Sequence, residues 1–168
     1  MAKNITLEGN PLTVGGNQIM AGAKAPDFKA VDKDMNEVKL SDFNGKIKIV
    51  TSFPSLDTSV CELQVKAFNS KAGELADDVV IIGISMDLPF AQGRFCSAFK
   101  IENVKVWSDY KFHDFAEKYG LLINELRLLA RTVIILDREN TVKYVQIVDE
   151  VTTEPDYNAA LESLKNIA

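Results

Sequence analysis

The chain has 168 residues, 46% of them hydrophobic, enough for a single domain that buries roughly 70% of its unfolded surface. Its net charge of -5, with acidic and basic residues interspersed, excludes a nucleic-acid partner, because phosphate-backbone binders need a clustered basic face. The stretch from Met1 to Pro11 has no apolar run of signal-peptide length and no later segment reaches membrane-spanning length, so a cytoplasmic protein without membrane contact is expected.

Residues 4–22 alternate short β-prone runs with Gly9-Asn10-Pro11 and Gly15-Gly16-Asn17. They predict an N-terminal β-hairpin, an extension over residues 1–22 appended to a single domain spanning 1–168. Pro26-Asp27-Phe28 opens a strand through Val31, and Glu37 to Leu40 pairs with it across the polar Asp32-Lys33-Asp34 turn. Ile47 to Phe53 is rich in β-branched residues and is stopped by Pro54, which cannot donate to a central ladder. A helix is expected to start close to Thr58, with Leu63, Ala67, Phe68, Ala72 and Leu75 as its apolar stripe. Thr58 caps it in one register, and Ser59 with Glu62 forms a capping box in another. Cys61 falls in the first turn under both, where unpaired backbone N–H groups and the helix dipole favour negative charge.

Val79 to Ser85 is nearly continuously apolar, as in a strand covered on both faces. Asp87-Leu88-Pro89 opens a second helix with a cap residue and an early proline; Ala91, Phe95, Ala98 and Phe99 are its expected apolar face, with Cys96 beside it. Gly93 within that helix costs about 1 kcal/mol relative to alanine. Val104 to Trp107 is a short strand, and Phe112, Phe115, Ala116 and Tyr119 mark a short helix ended by Gly120. Residues 121–130 carry no clear element. Arg131 to Leu136 and Val142 to Ile147 form a hairpin around Asp137-Arg138-Glu139-Asn140, and a helix from Pro155 buries Tyr157, Ala160, Leu161 and Leu164. This order describes an α/β chain with a mixed central sheet flanked by helices, which resembles the thioredoxin-like fold.

Cys61 and Cys96 are the only cysteines and His113 the only histidine. At most three soft ligands exist, so no dedicated zinc site is expected, and no glycine-rich loop stands between a strand and a helix to hold a nucleotide. No cofactor is expected. In a cytoplasmic protein the two thiols are better candidates for reactive or buried groups than for a permanent staple. His113 reads as a surface residue, and Phe90, Phe95 and Phe99 read as core.

Pro54-x-x-x-Thr58-x-x-Cys61 matches the active-site pattern of the peroxiredoxins. The blocks Phe53 to Thr58, Asp87 to Cys96, Ala130 to Val133 and Val148 to Tyr157, in this order, resemble the bacterial thiol peroxidases, the atypical two-cysteine branch of that family, from about Leu7 to the C-terminus. The resemblance implies reduction of hydrogen peroxide and organic (alkyl) hydroperoxides, part of antioxidant defence. It makes Cys61 the peroxidatic thiol that becomes sulfenic acid. Thr58 hydrogen-bonds thiolate and peroxide, Pro54 shields the site, and Arg131 supplies positive charge. The same resemblance implies that Cys96 is the resolving thiol that closes a disulfide within the subunit, that thioredoxin is the reductant, and that the chain is a homodimer.

Each residue type suits its task. A free thiol with pKa near 8.5 is only about 3% thiolate at neutral pH, and a helix terminus contributes about 0.3 to 1 kcal/mol, so a nearby cation would be the larger aid. Arg127 and Arg94 compete with Arg131 for that role. A disulfide needs the two Cα atoms within about 7 Å, yet the cysteines fall on separate helices, so one or both helix ends are expected to unwind during turnover. Two other readings stand beside the peroxidase. A dithiol-disulfide exchanger is disfavoured because Cys61-Glu62-Leu63-Gln64 lacks the second cysteine of a C-x-x-C motif; a non-catalytic binding module or holdase would keep the fold without the reactivity.

Overall fold

A computed structural model describes residues 3–167; Met1, Ala2 and Ala168, the ends of the expected domain and of its N-terminal extension, lie outside the described residues. Among the described residues are eleven strands and four α-helices; nine of the strands and all four helices follow the expected order, and the other two strands fall within residues 121–130. The centre is β5 (Ile47–Ser52) and β6 (Val79–Ser85), parallel to each other and to β7 (Lys105–Ser108). On one side β10 (Thr132–Leu136) runs antiparallel to β5 and β11 (Val142–Ile147) follows as a hairpin; on the other, β3 (Lys29–Val31) and β4 (Glu37–Lys39) close the sheet. The seven-stranded order is β11-β10-β5-β6-β7-β3-β4.

Alternation along the central strands sends side chains into two cores. Ile49, Ile81, Val133 and Ile135 meet α1 (Ser59–Lys71), α2 (Pro89–Phe99) and α4 (Tyr157–Leu164). Val50, Ile82, Ile84 and Ile134 meet α3 (Asp114–Tyr119) together with Phe28, Leu40 and Trp107. Helices thus cover both faces of a mixed sheet, the thioredoxin-like fold.

Several local expectations shift. The buried stripe of α1 is Cys61, Gln64, Val65 and Phe68, whereas Leu63 is 49% exposed. The buried stripe of α2 is Pro89, Gln92, Phe95 and Cys96, so Cys96 lies on the apolar face rather than beside it, while Ala91, Ala98, Phe90 and Phe99 are exposed. In both helices a glutamine occupies a core position and hydrogen-bonds to strand ends: Gln64 Nε2 donates to Thr51 Oγ1 at 2.6 Å and Ser52 O at 3.1 Å, and Gln92 Nε2 to Trp107 O at 2.8 Å and Ser85 Oγ at 3.1 Å. Those partners satisfy both amide nitrogens, and Gln64 Oε1 accepts from Arg131, whereas Gln92 Oε1 is buried without a hydrogen-bond partner among the described residues.

The N-terminal hairpin is no loose appendage. β1 (Lys3–Leu7) and β2 (Asn10–Gly15) continue into β8 (Leu122–Ile123) and β9 (Leu128–Leu129) as a second, antiparallel sheet, with Ile5, Leu12, Val14, Ile123, Ala130 and Val151 as its core. Residues 121–130 therefore do form an element, held by pairing that is remote in sequence. Gly120 ends α3 in the left-handed region (φ 66°), and a Cβ there would meet Asn17 O at 2.3 Å, so glycine is required by both the turn and the hairpin's close approach.

Candidate active site

The segment Phe53 to Thr58 leaves the C-terminal end of β5 and turns into α1. Phe53, Pro54 and Leu56 are buried, which anchors the turn, and its peptide bonds are all trans. Thr58 occupies the N-cap position in extended conformation, as expected, but its hydroxyl does not cap: Oγ1 donates to Ser55 O at 3.0 Å, beside the backbone bond from Thr58 N to the same oxygen at 3.2 Å. With its proton committed, the Thr58 oxygen is left with lone pairs to accept a hydrogen bond. The alternative capping box does not form, since Glu62 pairs instead with Lys66 at 2.6 Å.

Cys61 lies in the first turn of α1 and is fully buried. Its sulfur receives a hydrogen bond from Arg131 Nη1 at 3.3 Å. Arg131 precedes β10, 70 residues away, and is itself only 2% exposed. Its fork is held on two more sides: Nη1 donates to Gln64 Oε1 at 2.8 Å and Nε to Val151 O at 2.9 Å. Among the described residues no carboxylate pairs with it and Nη2 has no hydrogen-bond partner, so its charge is directed at the sulfur and the space in front of it. Arg94 and Arg127, its competitors from the sequence, are exposed and take no part.

Arg131 opens onto a cavity of about 300 Å³ lined by Pro54, Thr58, Val60, Leu7, Leu128 and Val151, among others. The structure thus brings Pro54, Thr58, Cys61 and Arg131 together. It adds the hairpin, through Leu7, and the 148–152 segment, through Val151, as walls that local pattern did not reveal.

Gln64 holds Arg131 beside Cys61, although nothing in the local sequence pattern marked it beyond its being a polar residue three positions after the cysteine, on the same helical face. Behind it the hydroxyls of Thr51, Ser52 and Thr132 form a buried network: Ser52 Oγ lies 2.6 Å from Thr132 Oγ1 and donates to Ala130 O at 2.8 Å, while Thr51 Oγ1 donates to Thr132 O at 2.8 Å. This pins β5 to β10 at the level from which Cys61 and Arg131 depart.

Cys96 stands apart from that cavity. It lies in the last turn of α2, 7% exposed, lining a separate groove of about 500 Å³ with Lys33 and Trp107. Burial pushes its thiol up from the ordinary value, and the charge of Lys33 opposes that shift. Both thiols are free and both belong to the core beneath α1, α2 and α4. α2 ends at Lys100 in the left-handed region (φ 54°), with Ile101 N–H donating to Cys96 O at 2.9 Å. Its expected cap residue, Asp87, does not cap; Leu88 holds that position, and the Asp87 carboxylate turns back to the Cys61 loop. His113 precedes α3, is half-buried and does not line the cavity.

Residues 20–161 match the family described as Redoxin. The chain is 47% identical over 162 residues to a thiol peroxidase of Streptococcus gordonii, covering 96% of this chain and 99% of the relative. It is 46% identical over 163 residues to a thiol peroxidase of Staphylococcus aureus strain MRSA252, covering 97% and 98%. A crystal structure of a peroxiredoxin-like protein from Aquifex aeolicus superposes with a TM-score of 0.93 at 40% identity, over 100% of this chain and 99% of that one.

Proposed function

The chain belongs to the Redoxin family and is a thiol-dependent peroxidase, and on that premise we propose that Cys61 is its peroxidatic thiol and Cys96 its resolving thiol. The observation that carries this reading is the guanidinium of Arg131, with no carboxylate partner among the described residues, at 3.3 Å from the Cys61 sulfur and lining the neighbouring cavity.

The Cys61 thiolate attacks the terminal oxygen of a hydroperoxide, ROOH. The sulfur–oxygen bond forms as the O–O bond breaks, leaving Cys61 as sulfenic acid and releasing RO⁻, which takes a proton from solvent to become ROH. The Thr58 oxygen accepts a hydrogen bond from the hydroperoxide and so sets its direction, while Arg131 stabilises negative charge first on sulfur and then on the departing oxygen. Pro54 closes one side of the cavity against water. Leu7, Val60, Leu128 and Val151 give it apolar walls that favour an organic substituent R, alongside hydrogen peroxide itself.

The Cys96 thiol then condenses with the sulfenic acid, releasing water and forming a disulfide within the chain, before further oxidation makes the damage irreversible. A dithiol protein reductant, thioredoxin, returns both thiols. Burial of Cys96 at the end of α2 supports a step in which that helix end opens, because a thiol pushed up by burial is a poor nucleophile until it is solvated. A homodimer working in the cytoplasm completes the reading; no helix among the described residues is long and apolar enough to cross a membrane.

Titration of the reduced protein with hydrogen peroxide tests this directly. One equivalent should be consumed with loss of two hydrogens and a Cys61–Cys96 crosslinked peptide pair. Cys61→Ser should abolish consumption, and Cys96→Ser should allow one turnover and trap sulfenic acid. Reversed effects would exchange the two roles, and an inert wild type would remove the assignment altogether.

A further inference from the structure

Asp87 carries a carboxylate that neither caps its helix nor pairs with a cation among the described residues. It gathers donors instead. Oδ1 accepts from Ser55 Oγ at 2.8 Å, and Oδ2 accepts from Leu56 N–H at 2.8 Å and from Ser85 Oγ at 2.7 Å. Its own backbone is held as well, its N–H donating to Ser85 Oγ at 3.3 Å and its carbonyl accepting from Ser108 Oγ at 2.5 Å. Ser85 Oγ accepts in turn from the buried Gln92 of α2 at 3.1 Å. An ionised carboxylate is acceptor-only with two oxygens, which matches a set of three donors in a way an amide cannot.

Two of the three donors belong to the turn that carries Thr58. Ser55 is fixed through its hydroxyl by Asp87, and its carbonyl is the group that receives the Thr58 hydroxyl proton at 3.0 Å. The direction of the Thr58 lone pairs therefore depends on Ser55, and Ser55 depends on Asp87.

We propose that Asp87 is the positioning residue of the peroxidatic loop, acting through Ser55 to aim the Thr58 hydroxyl at the hydroperoxide. This rests on the roles assigned above to Cys61 and Thr58. Asp87 touches neither the sulfur nor the cavity, and the contact between Arg131 and Cys61 does not pass through it. Because Asp87 also stands two residues before Pro89, the same group ties the entrance of the Cys61 helix to the entrance of the Cys96 helix.

The test is the single-turnover rate of Cys61 oxidation by hydrogen peroxide in Asp87→Ala, Ser55→Ala, Thr58→Val and the double variants with Thr58→Val. Asp87→Ala should lose about 10- to 100-fold in rate, the scale expected when a reacting group is misplaced by about 1 Å. Ser55→Ala, which keeps the bonds from Leu56 and Ser85, should lose about 5-fold, as for one hydrogen bond. Adding Thr58→Val to either should cost far less than it does in the wild type, because the hydroxyl is already misdirected; a merely structural lesion would multiply with it. Thiolate absorbance at neutral pH should stay at the wild-type level in both single variants. An undiminished rate in Asp87→Ala, or effects that multiply, overturns the proposal. If Asp87→Ala does not fold, the cycle between Ser55 and Thr58 decides by the same criteria. A wild type inert to peroxide would overturn the function itself, whereas an active wild type beside an unimpaired Asp87→Ala overturns only the role of Asp87.

Discussion

Gln64 shows how one buried side chain aims a charge. Its oxygen receives Arg131 Nη1 and its nitrogen is spent on Thr51 and Ser52, so the guanidinium is steered from α1 and from the sheet at once. Removing it leaves a buried hydrogen bond to a charged group unmade, a loss of about 1.5 to 3 kcal/mol. Gln64→Ala should lower the urea midpoint accordingly and slow peroxide consumption about 10-fold. Arg131→Ala should slow it at least about 100-fold; Arg131→Lys should recover only part, since an ammonium cannot serve sulfur, Gln64 and Val151 in one plane. An Arg131→Ala enzyme with unchanged rate would remove the guanidinium from the chemistry. Pro54, Thr58 and Cys61 were legible as a local pattern, and Arg131 only through family resemblance, because a strand-entry arginine carries no local mark of the sulfur it faces. Gln64 carries no local mark of its bond to Arg131, because a glutamine in a helix is ordinarily a solvated residue.

At the scale of elements, the order of strands and helices followed from periodicity and punctuation, whereas the buried faces of α1 and α2 did not. Leu63 and Ala67, or Ala91, Ala98 and Phe99, satisfy helical spacing as well as the true stripes do. The true stripes contain Gln64 and Gln92, which a hydrophobic count rejects. The stability of α2 also bears on turnover. Gly93 sits inside it with ordinary helical φ, and a Cβ there would come no closer than 3.7 Å to Lys33 Cβ. Gly93→Ala is therefore free of clash and should stabilise the helix by about 1 kcal/mol. If α2 must open to deliver Cys96, this variant should form the disulfide about 5-fold more slowly while leaving the first oxidation of Cys61 untouched. Stopped-flow traces that separate the two phases check this, and equal disulfide rates would show that α2 does not open in the step.

Taken as a whole, the molecule is closed by contacts between its N-terminal hairpin and its 148–152 segment, and two carboxylates, one in that closure and one beneath α3, give stability opposite dependences on pH. Glu150 accepts from Thr6 Oγ1 at 2.8 Å, Gly9 N–H at 3.0 Å and Thr152 N–H at 2.8 Å, fastening the first hairpin to the segment whose Val151 carbonyl holds Arg131. These bonds keep its carboxyl well below the usual range, so the fastening is complete above about pH 4.5 and is lost as the pH falls further. No local pattern announces such a link, since Thr6 and Glu150 lie 144 positions apart. Asp109 works the other way. It is fully buried where β7 meets α3, accepting from Phe115 N–H at 3.0 Å and Ala116 N–H at 2.9 Å, and burial pushes its carboxyl up from 3.8 to about 6. The folded chain then holds a proton between those values that the unfolded chain has released, so the Asp109 penalty is absent below pH 3.8, grows as pH rises to 6 and is complete above it. About two units at 1.36 kcal/mol each make a cost of about 3 kcal/mol at neutral pH. Urea unfolding should therefore give a higher midpoint at pH 5 than at pH 7.5, and Asp109→Asn, which has no charge to bury and keeps one oxygen to accept from α3, should flatten that rise. A wild-type midpoint that does not rise between pH 7.5 and pH 5, or a rise that survives in Asp109→Asn, would show that the charge buried beside α3 does not set the stability of the folded chain.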